Sequence, residues 1–172
     1  MMRVTLLSCV MLLATSVQAG SWETVTAPRS MGTKWIATNS NKNGDTLHVF
    51  RKIAGGGYEA YAELTLGGGQ KFGDLMPSYR IDDGRLEDTT ILKIAGQNMG
   101  ARWAYTDGNR AVWRIWQGTD TVIDNNPLLQ PWIKGNHVTV LFVDSAGKSR
   151  TTEFSLRGSK DAITEAMVGP FQ

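Results

Sequence analysis

Thr46-Leu47-His48-Val49-Phe50-Arg51-Lys52-Ile53-Ala54-Gly55-Gly56-Gly57-Tyr58-Glu59-Ala60-Tyr61-Ala62-Glu63-Leu64-Thr65-Leu66 sets the reading of the whole chain. Side chains alternate across an extended strand. In Thr46 to Ile53, Leu47, Val49 and Ile53 point one way and His48 and Lys52 the other. In Tyr58 to Leu66, Tyr58, Ala60, Ala62, Leu64 and Leu66 share one face. Two alternating runs around a glycine triplet predict a β-hairpin with one buried face. Gly67-Gly68-Gly69 ends it.

Downstream the same grammar repeats. Ser78 to Asp82 is a short strand candidate closed by Asp82-Asp83-Gly84, a turn signature. Thr89 to Ile94 and Arg102 to Tyr105 read as weaker strands. Asp107-Gly108-Asn109 turns the chain into the tryptophan-rich run Arg110 to Gln117. His137 to Asp144, the turn Ser145-Ala146-Gly147-Lys148 and the return Ser149 to Leu156 form another hairpin. It echoes the first faintly, as hairpins of similar length do. Two segments read as helical. Asn126 is placed to cap a turn that starts at Pro127 and stops at Gly135, with Pro131 limiting its length. Ser159 to Met167 opens on a capping serine and spaces Ala162, Ile163, Ala166 and Met167 as one helical face. The expected fold is mainly β: an antiparallel, jelly-roll-like β-sandwich with one or two short helices, one of them C-terminal.

Upstream lies a different kind of segment. Arg3 precedes an apolar run from Val4, and Val17-Gln18-Ala19-Gly20 supplies small residues at a cleavage position. That is the pattern of a secretory signal peptide, cut between Ala19 and Gly20. The run is too short to span a bilayer, which takes roughly 20 residues. Leu6-Leu7-Ser8-Cys9 loosely resembles a lipoprotein box, but only about five apolar residues precede Cys9 where a signal core has 7–15. The expectation is residues 1–19 as signal and 20–172 as a single domain, periplasmic or secreted. Cleavage leaves 153 residues, 17 basic against 16 acidic, and removes the sole cysteine, Cys9. Such a chain has no disulfide and no thiol chemistry. Its charge balance argues against nucleic acid or an anionic membrane as partner.

The last third carries an ordered set of parts. An apolar pair, Leu128-Leu129, precedes Lys134-Gly135; a strand, turn and strand follow from Val138; then Phe154-Ser155-Leu156-Arg157-Gly158-Ser159 leads into a helix with Ala162-Ile163. Upstream, Tyr79-Arg80-Ile81-Asp82-Asp83-Gly84 supplies a strand and an Asp-Gly step. The set resembles small exported bacterial proteins of the invasion-associated locus B type, and the VasI-type accessory proteins of type VI secretion. Both kinds close with Phe-x-Leu-x-Gly and a short apolar helix. The invasion-associated proteins usually carry paired cysteines, which this chain lacks after residue 19. The resemblance implies a periplasmic β-sandwich linked to secretion or host interaction, and supplies no catalytic residues.

His48 and His137 are the only histidines, without metal-ligand spacing, and a shared zinc would need a carboxylate such as Asp45. Asp82-Asp83 and Glu87-Asp88 are the densest acids, but neighbours on a strand point to opposite faces. A glycosidase needs facing carboxylates. No Gly-x-Ser-x-Gly elbow and no phosphate loop are present. No catalytic residue, metal or cofactor is expected. The six tryptophans are the strongest feature, with Trp103, Trp113, Trp116 and Trp132 close together in the chain. Strand alternation places Trp113 and Ile115 on one face and Arg114 and Trp116 on the other. If that second face is wet, Trp116 beside Arg114 offers a stacking platform; otherwise Trp116 covers a sheet edge or the Pro131-Trp132 segment.

The expected function is therefore non-enzymatic: a binding or accessory protein recognising a protein or envelope component. Trp113, Arg114, Trp116 and Trp132 are the candidate contact residues. A cell-envelope hydrolase or hydrolase inhibitor is one alternative, which a carboxylate-lined cleft would favour. A structural subunit of a surface assembly, joined through an unpaired edge strand, is the other.

Overall fold

A computed structural model of the chain describes residues 20–29, 32–54, 57–119 and 126–169. Residues 1–19, expected as a signal peptide, and the glycines at 55 and 56 lie outside the described residues.

Among the described residues, ten strands form two antiparallel sheets. The first sheet contains β1 (Glu23–Arg29), β2 (Gly32–Ser40), β3 (Thr46–Ala54), β4 (Gly57–Thr65), β7 (Ala104–Asp107) and β8 (Arg110–Gly118), in the order β1-β2-β3-β4-β8-β7. The second contains β5 (Ser78–Ile81), β6 (Glu87–Asp88), β9 (His137–Val143) and β10 (Ser149–Ser155), in the order β10-β9-β5-β6. The described residues also form three helices: α1 (Thr90–Asn98), α2 (Gln130–Lys134) and α3 (Ser159–Val168). The protein is a mainly β sandwich with a C-terminal helix.

Register explains the inner face of the large sheet. Ala37 pairs with Val49, Val49 with Ala62, Ala62 with Trp113, and Trp113 with Ala104. This row crosses five strands and is buried throughout. Its small side chains leave room for the Trp113 indole to reach the second sheet. Val138, Val140, Phe142, Phe154 and Leu156 meet it from β9, β10 and the residue that follows, in one core. Helix α3 adds Ala162, Ile163, Ala166 and Met167 to the same core and packs on β1, β2 and β3. Polar groups tie the sheets together at one end. Buried Asp45 accepts the Thr152 hydroxyl at 2.6 Å and the Gly67 N–H at 2.9 Å. The Asn39 amide and the Trp22 indole N–H both donate to the Ser155 carbonyl at 2.7 Å.

Four elements, in three stretches, depart here from the sequence expectation. First, β1 and β2 fill a stretch to which the alternation assigned no strand. Its pattern is blurred, because Asn39 is buried while Ile36 lies on the outer face with Phe50 and Tyr61. Second, Thr89 to Ile94 is not a strand but the start of helix α1. The Asp88 carboxylate accepts the Thr90 N–H at 2.8 Å, and buried Thr89 donates its hydroxyl to the Pro77 carbonyl. These anchors override the β-branched composition of Thr-Thr-Ile. Third, Ser159 does not cap α3. Gly158 holds the N-cap position at φ +80°, and the Ser159 hydroxyl donates to the Trp132 carbonyl at 2.7 Å. That bond docks α3 onto α2.

Candidate functional site: an aromatic-floored cleft

The cleft is built on a short stack of rings. Tyr79 of β5 lies against Trp113 of β8, with centroids 5.6 Å apart, and against Trp132 of α2 at 5.4 Å. Offset or tilted rings at these separations attract beyond the area they bury. Burial pushes the Tyr79 phenol up to about 12, with its cross-strand neighbour Glu87 adding to the rise and a hydrogen bond from Trp132 opposing it. The phenol thus stays neutral at physiological pH.

Above this floor opens a cleft of about 430 Å³, lined by β5, the 84–88 connection, the first turn of α1, Arg114 and Ile115 of β8, and the 127–132 segment. Its rim is apolar where apolar side chains are costly to leave in water: Ile91 is 65% exposed and Leu128 57%. Arg85, Glu87 and Asp88 supply polar groups at its edge. Local chemistry sets both walls. Asn126 accepts the Leu128 N–H at 2.9 Å and holds the turn that presents Leu128, but it does not cap α2: the helix starts only at Gln130, with Leu129 at the N-cap position and Pro131 tolerated in its first turn rather than ending it. On the other wall Asp82 adopts φ +49°, and its carboxylate accepts the Asn136 and His137 N–H groups at 3.0 Å. Those amides, His137 first, hold the Asp82 carboxyl below the usual carboxylate range. They lock the β5 end, with Ile81, onto the start of β9.

The four candidate tryptophan and arginine residues separate. Trp132 is 1% exposed and lines the cleft; Arg114 also lines it. Trp113 is wholly buried behind Tyr79 and touches no solvent. Trp116 corrects the alternation. The β4–β8 register shifts so that Tyr61 faces Arg114 while Ala60 faces Trp116. The bulge at Ile115 turns Trp116 back to the inner side, where it is half-buried against the core and lies over Gly118. The platform of Trp116 beside Arg114 therefore does not form. Arg114 stays on the outer side, 3.6 Å over the Trp103 ring and paired with Glu59 at 2.9 Å. Glu59 also accepts the Tyr61 hydroxyl at 2.8 Å.

Sequence reasoning missed Tyr79, Ile91 and Leu128 as site residues. Ile91 falls in a stretch whose local pattern favours a strand, and Leu128 stands out in sequence only as half of an apolar pair. The acids Glu87 and Asp88 do reach the cleft edge, but both are exposed and Asp88 is engaged at the start of α1. His48 and His137 sit on different sheets. Among the described residues no group of three or more His, Cys, Asp or Glu side chains is arranged to hold a metal. No described helix is long and apolar enough to cross a membrane. No protein family, curated protein or solved structure matches the chain.

Proposed function

We propose that this chain is an exported, non-enzymatic binding protein of the bacterial envelope, and that the cleft receives apolar side chains from a protein partner. The observation that carries this reading is the exposure of Ile91 and Leu128 at the mouth of a cleft floored by Tyr79 and Trp132. Concave sites lined mainly by apolar and aromatic groups, with a few polar groups at the edge, are where ligands gain most from leaving water. Arg85, Glu87 and Asp88 would then orient the partner's backbone or charged groups. The signal-like segment 1–19 supports export. The resemblance of the last third to invasion-associated locus B-type and VasI-type proteins supports an accessory role in secretion or host contact.

The test uses residues that can change without unfolding the domain. A photo-reactive amino acid at Leu128 should trap one partner in the periplasm, and Ile91→Asp should abolish that product while the melting temperature holds. Trapping that is indifferent to Ile91→Asp, or equal from the remote position Thr151, would overturn the reading.

The hydrolase alternative keeps one observation in its favour, the two carboxylates at the cleft edge. It requires that Glu87→Gln or Asp88→Asn lower turnover of an envelope polymer by at least the roughly 100-fold that a general acid or base contributes.

A further inference from the structure

We propose a second site, for a phosphate group, in the pocket where α1 meets the edge strand β7. It stands independently of the cleft and of any partner there.

The pocket exists because the helix comes very close to the chain that enters β7. A Cβ at Gly96 would lie 2.8 Å from the Ala101 carbonyl oxygen and 3.0 Å from the Trp103 nitrogen. Only glycine permits that approach. The Ala101 N–H donates to the Gly96 carbonyl at 2.7 Å, and Gly100, at φ +67°, makes the reversal. The helix end thereby fixes Arg102 beside the helix face that carries Lys93 and Gln97, which are one turn apart. Between them lies a space of about 240 Å³, lined by Lys93, Gln97, Arg102, Tyr105 and Thr106 together with two alanines. At about 30 Å³ per water, it holds roughly eight waters, ample for a phosphate and part of what bears it.

The lining is cationic without an acid. Lys93 and Arg102 face one volume, and no carboxylate lines it. Arg102 is also held in place: its guanidinium carbon lies 3.8 Å from the centre of the Tyr105 ring. A guanidinium stacked on a ring keeps its N–H edges available, so the fork is oriented before the ligand arrives. The nearest acid in sequence, Asp107, pairs with Arg110 instead. The negative end of the α1 dipole is weakened here, because the Ala95 carbonyl accepts the Met99 N–H, the Gly96 carbonyl accepts the Met99 and Ala101 N–H groups, and the Gln97 carbonyl accepts the Gly100 N–H.

The donor set selects the anion. A guanidinium fork, an ammonium, an amide and a hydroxyl contributed by two elements suit an anion with three or four oxygens. A carboxylate has two and would leave donors unmatched. The matching ligand chemistry is a phosphomonoester or inorganic phosphate.

Calorimetry at low ionic strength with inorganic phosphate should show saturable, one-site binding to the intact protein. Arg102→Gln and Lys93→Gln should each weaken it by about tenfold, the loss of one hydrogen bond to a charged group. Arg157→Gln, a remote exposed arginine, should leave it unchanged, and melting curves confirm that each variant is folded. Vesicles of phosphatidylcholine containing phosphatidic acid separate the sources. Arg102-dependent vesicle binding identifies a lipid headgroup, and phosphate binding without it identifies a soluble phosphate. Acetate binding as tightly as phosphate, no saturable phosphate binding, or binding indifferent to both Arg102→Gln and Lys93→Gln would each overturn the proposal.

Discussion

Asp45 is buried between the two sheets, where it accepts a hydroxyl from β10 and an N–H from Gly67. Removing it strands both donors away from water. Asp45→Ala should therefore cost about 2–3 kcal/mol by urea unfolding, more than an exposed substitution costs. His48 predicts a pH response. Burial lowers its pKa from 6.5, Glu63 opposes that and Lys34 adds to it. The unfolded chain thus binds a proton at His48 more readily than the native one, and stability is lost as pH falls below about 6.5. His48→Gln should flatten the stability curve just below that pH; an unchanged slope would assign the loss elsewhere. The Asp82 and Asp144 carboxyls behave oppositely in origin. Both are held below 3.8, Asp82 foremost by the His137 N–H and Asp144 foremost by the Lys148 N–H. Their contribution is present above the unfolded carboxylate value and is lost as pH falls through the native one. Asp82→Asn should remove part of the acid-induced loss of stability.

Elements show where local pattern and tertiary context part company. The hairpin of β3 and β4 is legible because one face is apolar apart from Arg51, and a slip of one residue would turn Leu47, Val49, Ala60, Ala62 and Leu64 out of the core. Strand β8 was legible as a strand but not as to its faces. A bulge adds one residue to one side of a pair and so reverses the alternation beyond it. Nothing in Trp113-Arg114-Ile115-Trp116 marks where that happens; the partner strand β4 does. Helix α1 departs from its local pattern for a related reason. Thr89-Thr90-Ile91-Leu92 favours a strand locally, while its anchor to Pro77 and its close docking at Gly96 are long-range facts. Gly96→Ala tests that docking. The added carbon meets backbone rather than a movable side chain, so despite better helix propensity it should destabilise by about 1–3 kcal/mol in thermal or urea melts.

At the scale of the molecule, one core spans both sheets and α3. The sandwich should unfold as a unit, with far-UV dichroism and tryptophan fluorescence tracing one coincident urea transition. Separate transitions would mean that the two sheets melt independently. The sequence by itself determined the β class, the main hairpins and the C-terminal helical face, because each depends on periodicity or turn chemistry within a few residues. It also marked Trp132 and Arg114 as worth attention. Tertiary structure alone decided that these two share a cleft with Tyr79, Ile91 and Leu128, that Trp113 is sealed behind a ring, and that Trp116 turns inward. Those outcomes depend on which strand lies beside which and on one inserted residue in a ladder. Contacts between distant segments set them, and no local pattern encodes such contacts.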